Sequence, residues 1–427
     1  MNTPRKTWSW WKFLLGALAA VLLLAAVYQI PYVNDRLSWR LDVLTTRVRM
    51  ALSPAGALPA PQEHAQPLTA PSTAPSPSPS PSPTPAPARS TAAPSTPEPT
   101  AAPTATPTPL PGQVKLTSPR YEKQDWNNCG PATLSMALTY YGWEGDQFDV
   151  ADEIKPARAD RNINVDELAG FVRGSVPGIN VVFRVGGTLD TLRLLLANGF
   201  PVVVEEGMHL QEAFWFEDDR WAGHYLLLTA YDDTTQAFTV QDSLEGADRS
   251  VRYTDLDANW QTFNRVFLVV YPSEAEDQVS ALLGADWNAD VNRQRALDTA
   301  QAETLSQPKN AFAWFNLGSN LVYFDRYAEA AQAYDRAREI GLPQRMLRYQ
   351  FGPFLAYFHA GRTEDLLAIS DFAVKITPNA EEALLWNGWA RYRNGDRNGA
   401  LARFQEALKA YPGYADAQYA LNFLSQN

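Results

Sequence analysis

The pattern of hydrophobic and polar positions divides the chain into parts with different periods. Residues 13–33 form one apolar run without a charge. Residues 53–112 have no hydrophobic period. Residues 113–272 combine short apolar runs, typical of strands, with segments of helical spacing, and residues 274–427 show helical spacing without any strand signal. The pattern therefore predicts an apolar N-terminal segment, a linker, a mixed domain and an all-helical domain.

The apolar run predicts a transmembrane helix over about residues 13–33. At roughly 1.5 Å per residue it is long enough to cross a bilayer core. A cleaved signal peptide is the alternative, but the length of the run and the lack of a clear A-x-A site favour an uncleaved anchor. Residues 35–50 carry a leucine stripe beside arginines, which fits a helix on the membrane surface or a helical extension of the anchor equally well. Residues 1–52 are therefore assigned to a membrane anchor and juxtamembrane helix.

The linker at residues 53–112 contains most of the 32 prolines of the chain, mixed with Ser, Thr and Ala. This composition predicts a disordered, extended spacer. Positive charges flank the apolar run on both sides, so they do not decide its orientation. Because such spacers are common in surface-exposed proteins, we expect a single-pass protein of the bacterial cell membrane with extracytoplasmic C-terminal domains.

The mixed region, residues 113–272, predicts an α+β domain. Helical periods come first and apolar strand runs come last, which favours an antiparallel sheet packed on an N-terminal helix. The predicted helices lie at 131–141, after Asn164 and at 188–199, and the predicted strands at 179–185, 200–206, 224–231, 237–242 and 265–271.

The C-terminal region, residues 274–427, is repetitive. Its units are about 35 residues long and are marked by Gly284, Gly318, Gly352 and Gly388 and by Pro308, Pro343, Pro378 and Pro412. The stretches "AWFNLGSNLVYFDRYAEAAQAYDRAREIGLP" and "ALLWNGWARYRNGDRNGALARFQEALKAYP" resemble tetratricopeptide repeats, whereas the unit at 274–308 is degenerate. The resemblance implies a superhelix that binds a peptide or protein partner, with a scaffold lacking any ligand as the alternative.

Composition narrows the function classes. The net charge of −11 argues against a nucleic-acid partner. One cysteine and four histidines exclude an intramolecular disulfide framework and leave little room for a metal site. We therefore expect no cofactor.

The lone cysteine, Cys129, precedes a predicted helix, where unpaired N–H groups and the helix dipole favour a thiolate. A small buried apolar cysteine is the alternative. His224 opens an apolar strand run, and Asp242 ends the next one, so antiparallel pairing would place them side by side. Gln124 lies five residues before the thiol and can donate to an oxyanion.

The other histidines fit a catalytic role less well. His64 lies in the linker and His359 in a repeat. His209 lies in the polar stretch "GMHLQEAFWFEDD", which predicts an exposed loop. His224 is therefore the candidate base.

The stretches "QDWNNCGPATLSMAL", "GFPVVV", "GHYLLLTAYD" and "FTVQDS" resemble the peptidase C39-like family. The resemblance implies a papain-like fold with Cys129 as nucleophile, His224 as base, Asp242 as the orienting acid and Gln124 at the oxyanion. Relatives in this family cut leader peptides after double glycines, often within ABC exporters. This chain has only one apolar run that can span a membrane, so bacteriocin export is not implied.

These observations predict a membrane-anchored cysteine peptidase whose repeats recruit a substrate or partner. A papain-like module that binds peptides without cutting them is one alternative. Transpeptidation or cell-wall amide hydrolysis by the same thiol is another.

Overall fold

The computed structural model describes residues 10–62, 109–155 and 160–426. It begins with two helices, α1 (Trp10–Tyr28) and α2 (Pro31–Leu52). Among the described residues, α1 is the one helix long and apolar enough to cross a membrane, a property that signal sequences share. The apolar helix ends at Tyr28, short of the predicted boundary at residue 33, because Pro31 starts a new helix.

The middle region contains one seven-stranded sheet in which all the pairings are antiparallel. The strand order is β2-β7-β3-β4-β5-β6, and β1 pairs with β4. The strands are β1 (Gln113–Lys115), β2 (Ile179–Arg184), β3 (Val202–His209), β4 (Trp221–Asp232), β5 (Ala237–Asp242), β6 (Gly246–Arg252) and β7 (Phe267–Pro272). The helices are α3 (Cys129–Thr139), α4 (Gln147–Ile154), α5 (Val165–Ser175), α6 (Leu189–Ala197) and α7 (Tyr253–Gln261).

Both faces of the sheet are covered, whereas the sequence predicts packing on an N-terminal helix. Val203 and Leu227 pack with α3, α4 and α5 on one face. Their neighbours Val202 and Leu226 point to the other face and pack with α6 and α7. Two covered faces explain why these strands read as continuous apolar runs rather than as an alternating pattern.

The predicted strands and the three predicted helices are present within a few residues, and the sequence misses four short elements. β1 and β6 are mostly exposed and polar, so they lack a hydrophobic signal. The helices α4 and α7 have eight and nine residues, too few for a clear period. The helix that begins at Cys129 starts two residues earlier than predicted.

The C-terminal region is helical. Its elements are α8 (Glu276–Leu283), α9 (Ala289–Ser306), α10 (Ala311–Tyr323), α11 (Tyr327–Ile340), α12 (Met346–Tyr349), α13 (Gly352–His359), α14 (Thr363–Ile376), α15 (Glu381–Arg393), α16 (Arg397–Ala410) and α17 (Ala415–Gln426). Pairs such as α10 with α11 and α15 with α16 form the helical hairpins that the repeat pattern predicts.

Gly318 shows why glycine recurs in these units. It lies on α10, where a Cβ would lie 2.7 Å from the ring of Tyr334 on α11. No real Cβ contact is that short, so the two helices approach closely only because residue 318 has no side chain.

We expect Gly318→Ala to lower the free energy of unfolding by about 1–3 kcal/mol, because the added methyl overpacks a buried helix contact. Gly170→Ala is the matched control, since its Cβ on α5 would meet no atom within 4 Å. The control is expected to be neutral or stabilising by up to about 1 kcal/mol. Urea denaturation of both variants measures the difference, and equal stability of the two would contradict the packing argument.

The first part of the predicted degenerate repeat packs on the sheet instead of on the repeats. Val279 and Leu283 of α8 lie in the same apolar cluster as Leu192 and Val269. A second cluster is shared between the mixed domain and the repeats, from Trp221 on β4 to the helices that follow α8. The two regions are therefore joined by a continuous apolar core.

Residues 54–62, which the sequence assigns to the linker, lie on the repeats; we call them the docked segment. Arg338 donates from Nε and Nη2 to two backbone carbonyls of this segment, both at 2.9 Å. The backbone N–H of Gln62 donates to Asp365 at 3.1 Å, and Leu58 is buried. The structure differs from the predicted boundary because these polar backbone groups and one leucine find partners on α11 and α14. The rest of the predicted linker, residues 63–108, lies outside the described residues.

Helix α2 also contacts the folded body, through one side. Asp42 forms an ion pair with Arg161, and Met50 is buried. The predicted leucine stripe is on the exposed side, where Leu41 and Leu44 are accessible. α2 is therefore a separate helix rather than a continuation of α1.

Candidate active site

Cys129 is the first residue of α3, and its side chain is half-buried. The preceding Asn127 has a φ of 53°, a left-handed conformation that asparagine tolerates. Asn128 is buried and donates from Nδ2 to Gln147 at 2.9 Å. Pro131 lies in the first turn, where a missing N–H costs nothing. This tight turn places the thiol at the N-terminus of a buried helix.

His224 lies on β4 and Asp242 at the end of the neighbouring β5. Leu227 pairs with Gln241, which brings Asp242 beside the start of β4. The His224 Nε2 and the Asp242 Oδ1 are 2.9 Å apart, and both side chains are buried. The antiparallel pairing predicted from sequence thus brings the two residues together.

Asp242 is held by more partners than the sequence indicates. Its Oδ1 also accepts hydrogen bonds from the backbone N–H groups of Leu244 at 2.9 Å and Glu245 at 3.1 Å. Its Oδ2 pairs with Arg249 Nη1 at 2.5 Å. Arg249 lies on the polar strand β6, which gives no hydrophobic signal, so its role is not visible in the sequence pattern. These contacts fix the carboxylate beside His224.

The charges of the site favour a thiolate paired with an imidazolium. Burial raises the pKa of Cys129, but the hydrogen bond and charge of His224, the backbone N–H of Tyr225 and the charge of Lys155 outweigh it, so the pKa lies below its ordinary value. Burial lowers the pKa of His224, but hydrogen bonds to Asp242 and Cys129 raise it to about 10. Because Nε2 faces Asp242, the ring nitrogen left for the thiol is Nδ1.

Gln124 lies at the same cavity as Cys129. Its backbone N–H donates to the carbonyl of Ser243 at 2.9 Å, and the Ser243 hydroxyl donates to its Oε1, also at 2.9 Å. The bond to Oε1 occupies the oxygen of the Gln124 side-chain amide. The N–H groups of that amide therefore remain as hydrogen-bond donors of the side chain. Ser243 directly follows Asp242, and this adjacency is the signal by which the sequence could have identified it.

The cavity has a volume of about 290 Å³ and lies between the mixed domain and the repeats. Cys129, His224 and Gln124 line one side. The opposite side includes three residues on or next to α12 that the sequence does not associate with the site: Arg345, Arg348 and Tyr349.

The contact between the start of β4 and the helical region requires a glycine before His224. A Cβ at Gly223 would lie 2.8 Å from the ring of Phe263 and 3.1 Å from the ring of Tyr349. Trp221 packs edge-on against the same Tyr349, with ring centroids 5.7 Å apart. The start of β4 is thus packed directly against the helical region.

The other histidines lie away from the thiol. His209 is exposed, as expected, but it ends strand β3 rather than lying in a loop. His359 stacks on Tyr327 at 4.2 Å within the repeats. His64 lies outside the described residues.

The sequence also misses two buried carboxyl groups on β3. Burial raises the pKa of Glu205, which lines the cavity, well above its ordinary value, and the charge of Cys129 raises it further. Burial raises the pKa of Glu206 to about 7, and Glu206 pairs across the strands with His224. Their signal in the sequence is the pair "EE" in an otherwise apolar strand.

Comparison with known proteins matches residues 115–268 to the Peptidase_C39 like family. No curated protein matches the chain significantly. Among solved structures, a C39-like peptidase from Bacillus anthracis is similar to this chain, with 16% identity, a TM-score of 0.30 and coverage of 37% of this chain and 97% of that protein.

Two further solved structures are similar to different regions of the chain. One is a double glycine motif protease from an AMS/PCAT transporter in complex with the leader peptide, with 16% identity, a TM-score of 0.28 and coverage of 38% of this chain and 95% of that protein. The other is YrrB, a TPR protein with an unusual peptide-binding site, with 21% identity, a TM-score of 0.29 and coverage of 35% of this chain and 74% of that protein. Residues 115–268 thus match the Peptidase_C39 like family, and the helical region after them is consistent with tetratricopeptide repeats.

Proposed function

We propose that this protein is a cysteine peptidase tethered to a membrane by α1. The observation that carries the proposal is the buried hydrogen bond between Asp242 and His224, whose ring lines the same cavity as the half-buried thiol of Cys129. A cysteine with no catalytic role has no need of a histidine–carboxylate pair beside it. The family match of residues 115–268 supports the same activity.

In this proposal the thiolate of Cys129 attacks the carbonyl carbon of a peptide bond. The backbone N–H of Cys129, in the first turn of α3, and the side-chain N–H of Gln124 stabilise the oxyanion. His224 gives its proton to the leaving amine, so the C–N bond breaks and a thioester remains on Cys129. His224 then accepts a proton from water, which attacks the thioester and releases the carboxylic acid product.

Asp242 acts through His224 rather than on the substrate. Its carboxylate accepts a hydrogen bond from Nε2–H, fixes the ring orientation and stabilises the imidazolium. Burial opposes the ionisation of Asp242, but the hydrogen bond and charge of His224 and the backbone N–H groups of Glu245 and Leu244 hold its pKa far below the ordinary value.

The repeats and α1 define where the peptidase acts. We propose that the repeats recruit a protein or peptide partner to the cavity and that the folded regions are extracytoplasmic, with α1 spanning the cell membrane once. The chain of a substrate protein that reaches the cavity passes between the mixed domain and α12, because both line it.

The proposal is tested by the reactivity of Cys129 with iodoacetamide, an uncharged reagent that needs no substrate recognition. The full chain in detergent is labelled between pH 5 and 10, and intact mass spectrometry follows the rate. Because its pKa is lowered, Cys129 is expected to react faster at pH 6 than a free thiol, which has a pKa of about 8.5 and is almost fully protonated there. His224→Ala removes the hydrogen bond and the charge that most strongly lower the pKa of Cys129. The labelling rate of this variant at pH 6 is therefore expected to be at least tenfold lower than that of the unchanged protein.

Cys129 labelling that follows the pH dependence of a free thiol in both proteins would refute the proposal. The remaining interpretation would be a peptide-binding module without catalysis. His209→Ala serves as the matched control, since this exposed histidine lies on the strand next to β4 and its loss is expected to leave the profile unchanged.

A further inference from the structure

The wall of the cavity that comes from the helical region carries positive charge. Arg345 directly precedes the short helix α12, Arg348 lies on it, and both line the cavity together with Arg161 from the mixed domain. The three guanidinium groups are near enough to affect one another: burial, together with the charges of Arg348 and Arg345, lowers the pKa of Arg161 to about 9. The arginines therefore form one cationic cluster inside the site.

Two of these arginines have carboxylate partners. Arg345 binds Asp218 through two parallel contacts, of 2.6 Å from Nη1 and 2.7 Å from Nη2. Arg161 forms its ion pair with Asp42 of α2. Both charges are thus compensated within the protein.

Arg348 differs from its neighbours. Its side chain is buried, with the residue 8% exposed, and its Nε donates to the hydroxyl of Thr377 at 2.9 Å. Within the part of the chain that the structure describes, its Nη2 has no hydrogen-bond partner and no carboxylate forms an ion pair with it. Burial lowers the pKa of Arg348, and the contact with Tyr349 and the charge of Asp218 offset this only in part. A buried guanidinium without a counter-charge is costly, and an anionic group in the cavity would remove that cost.

The acid that lines the cavity beside the thiol does not supply this counter-charge. Burial raises the pKa of Glu205 well above its ordinary value, which disfavours the ionised carboxylate that a counter-charge requires. Asp218 and Asp42 are already engaged by the other two arginines. The guanidinium of Arg348 is therefore available to pair with an anionic group of a ligand.

We propose that Arg348 binds a carboxylate of the peptide substrate, so that the site selects peptides with an acidic side chain or a free C-terminus near the bond to be cut. The inference rests on the proposed function in that the bound peptide is taken to be a substrate. The preference for binding a carboxylate does not itself depend on catalysis. A guanidinium suits this role because its planar fork matches the geometry of a carboxylate.

The test measures peptide binding to the full chain carrying Cys129→Ala, which cannot turn over. Three pools of random octapeptides bear an uncharged fluorophore: one with a fixed central Glu and an amidated C-terminus, one with Gln at that position, and the Gln pool with a free C-terminus. Fluorescence anisotropy is expected to show at least about tenfold tighter binding of one carboxylate-bearing pool than of the amidated Gln pool, as for a hydrogen bond between charged groups. Which of the two pools gains identifies a side chain or the terminus as the source of the carboxylate.

Two variants at the same position separate charge from structure. Arg348→Met, which keeps the alkyl volume, is expected to abolish the preference, and Arg348→Lys to retain part of it. Thr377→Val is the matched control: it removes the hydrogen-bond partner of Nε and leaves the charge, so the preference is expected to persist. If Arg348→Met fails to fold, the full chain that carries only Cys129→Ala still tests the proposal. Equal binding of all three pools to that protein would overturn it.

A carboxylate preference that survives in folded Arg348→Met would also overturn it. Failure of this inference is distinguishable from failure of the proposed function, since iodoacetamide labelling reports the thiol without any peptide. Fast, His224-dependent labelling together with equal binding of the pools would leave the peptidase and remove only its acidic preference.

Discussion

Replacement of Cys129 by alanine is expected to lower the rate of peptide-bond hydrolysis by about 10⁵–10⁶-fold, the range observed when the nucleophile of such a group of residues is removed. The chain has one cysteine, so no other thiol can take over. The measurement uses quenched-fluorescent peptide pools and the full chain in detergent. Binding of the same pools is expected to remain within a factor of a few, because the change removes one sulfur atom from a half-buried position.

Cys129→Ser provides the comparison for this result. A serine keeps the size and the hydrogen bond to His224, but its hydroxyl is far less acidic than a thiol, so the ion pair does not form. We expect its activity to be nearly as low as that of the alanine variant. Hydrolysis that survives in either folded variant would show that the reaction does not pass through Cys129.

Asp242→Asn is expected to have the second largest effect, a decrease of about 10²–10⁴-fold in kcat/KM near neutral pH. Burial alone lowers the pKa of His224, and the bond to Asp242 is the first of the contacts that raise it to about 10. Loss of the negative charge therefore lowers that pKa. The imidazolium is then lost at lower pH, so the alkaline limb of the pH–rate profile is expected to move to lower pH.

Asp248→Asn is the matched control for this experiment. Asp248 lies on β6, is exposed, and accepts a hydrogen bond from Gln241 at 2.8 Å that an asparagine oxygen can also accept. Its φ of 51° suits asparagine. We expect the control to keep its rate and pH profile, whereas an unchanged alkaline limb in Asp242→Asn would exclude the orienting role of Asp242.

The part of the site that the sequence predicts is the part built from apolar elements. Cys129 begins a periodic helix, His224 lies near the start of β4, and Asp242 ends the next strand, β5. Antiparallel neighbours bring such termini together whatever the details of the sheet, so helix and strand assignments are sufficient. The same argument does not reach Arg249, because the pairing of a polar edge strand leaves no hydrophobic pattern.

The helical wall of the cavity is beyond the reach of sequence patterns for a different reason. Arg345, Arg348 and Tyr349 are more than 100 positions from His224 in the chain, and the docking of two domains depends on matching surfaces rather than on periodicity. The unit that contains them, residues 344–378, matches the repeat pattern only moderately, between the two clear units and the degenerate one. Its first helix, α12, has only four residues, and Arg348 and Tyr349 on it line the cavity.

The docked segment and Pro111 mark the two described ends of the proline-rich region. The backbone N–H of Gln62 donates to Asp365 on the repeats, and the carbonyl of Pro111 accepts a hydrogen bond from Tyr231 on the sheet at 2.7 Å. Both ends are thus held by the folded regions, so the length of the chain between them does not set how far those regions lie from α1.

The reach of the protein from the end of α1 is set by α2 instead. This helix has 22 residues, which corresponds to about 33 Å at 1.5 Å per residue. The ion pair of Asp42 and the burial of Met50 fix α2 to the folded regions, so this helix holds them at a constant distance from α1. The distance between α1 and the cavity is therefore set by the length of α2 and by its contacts with the folded regions.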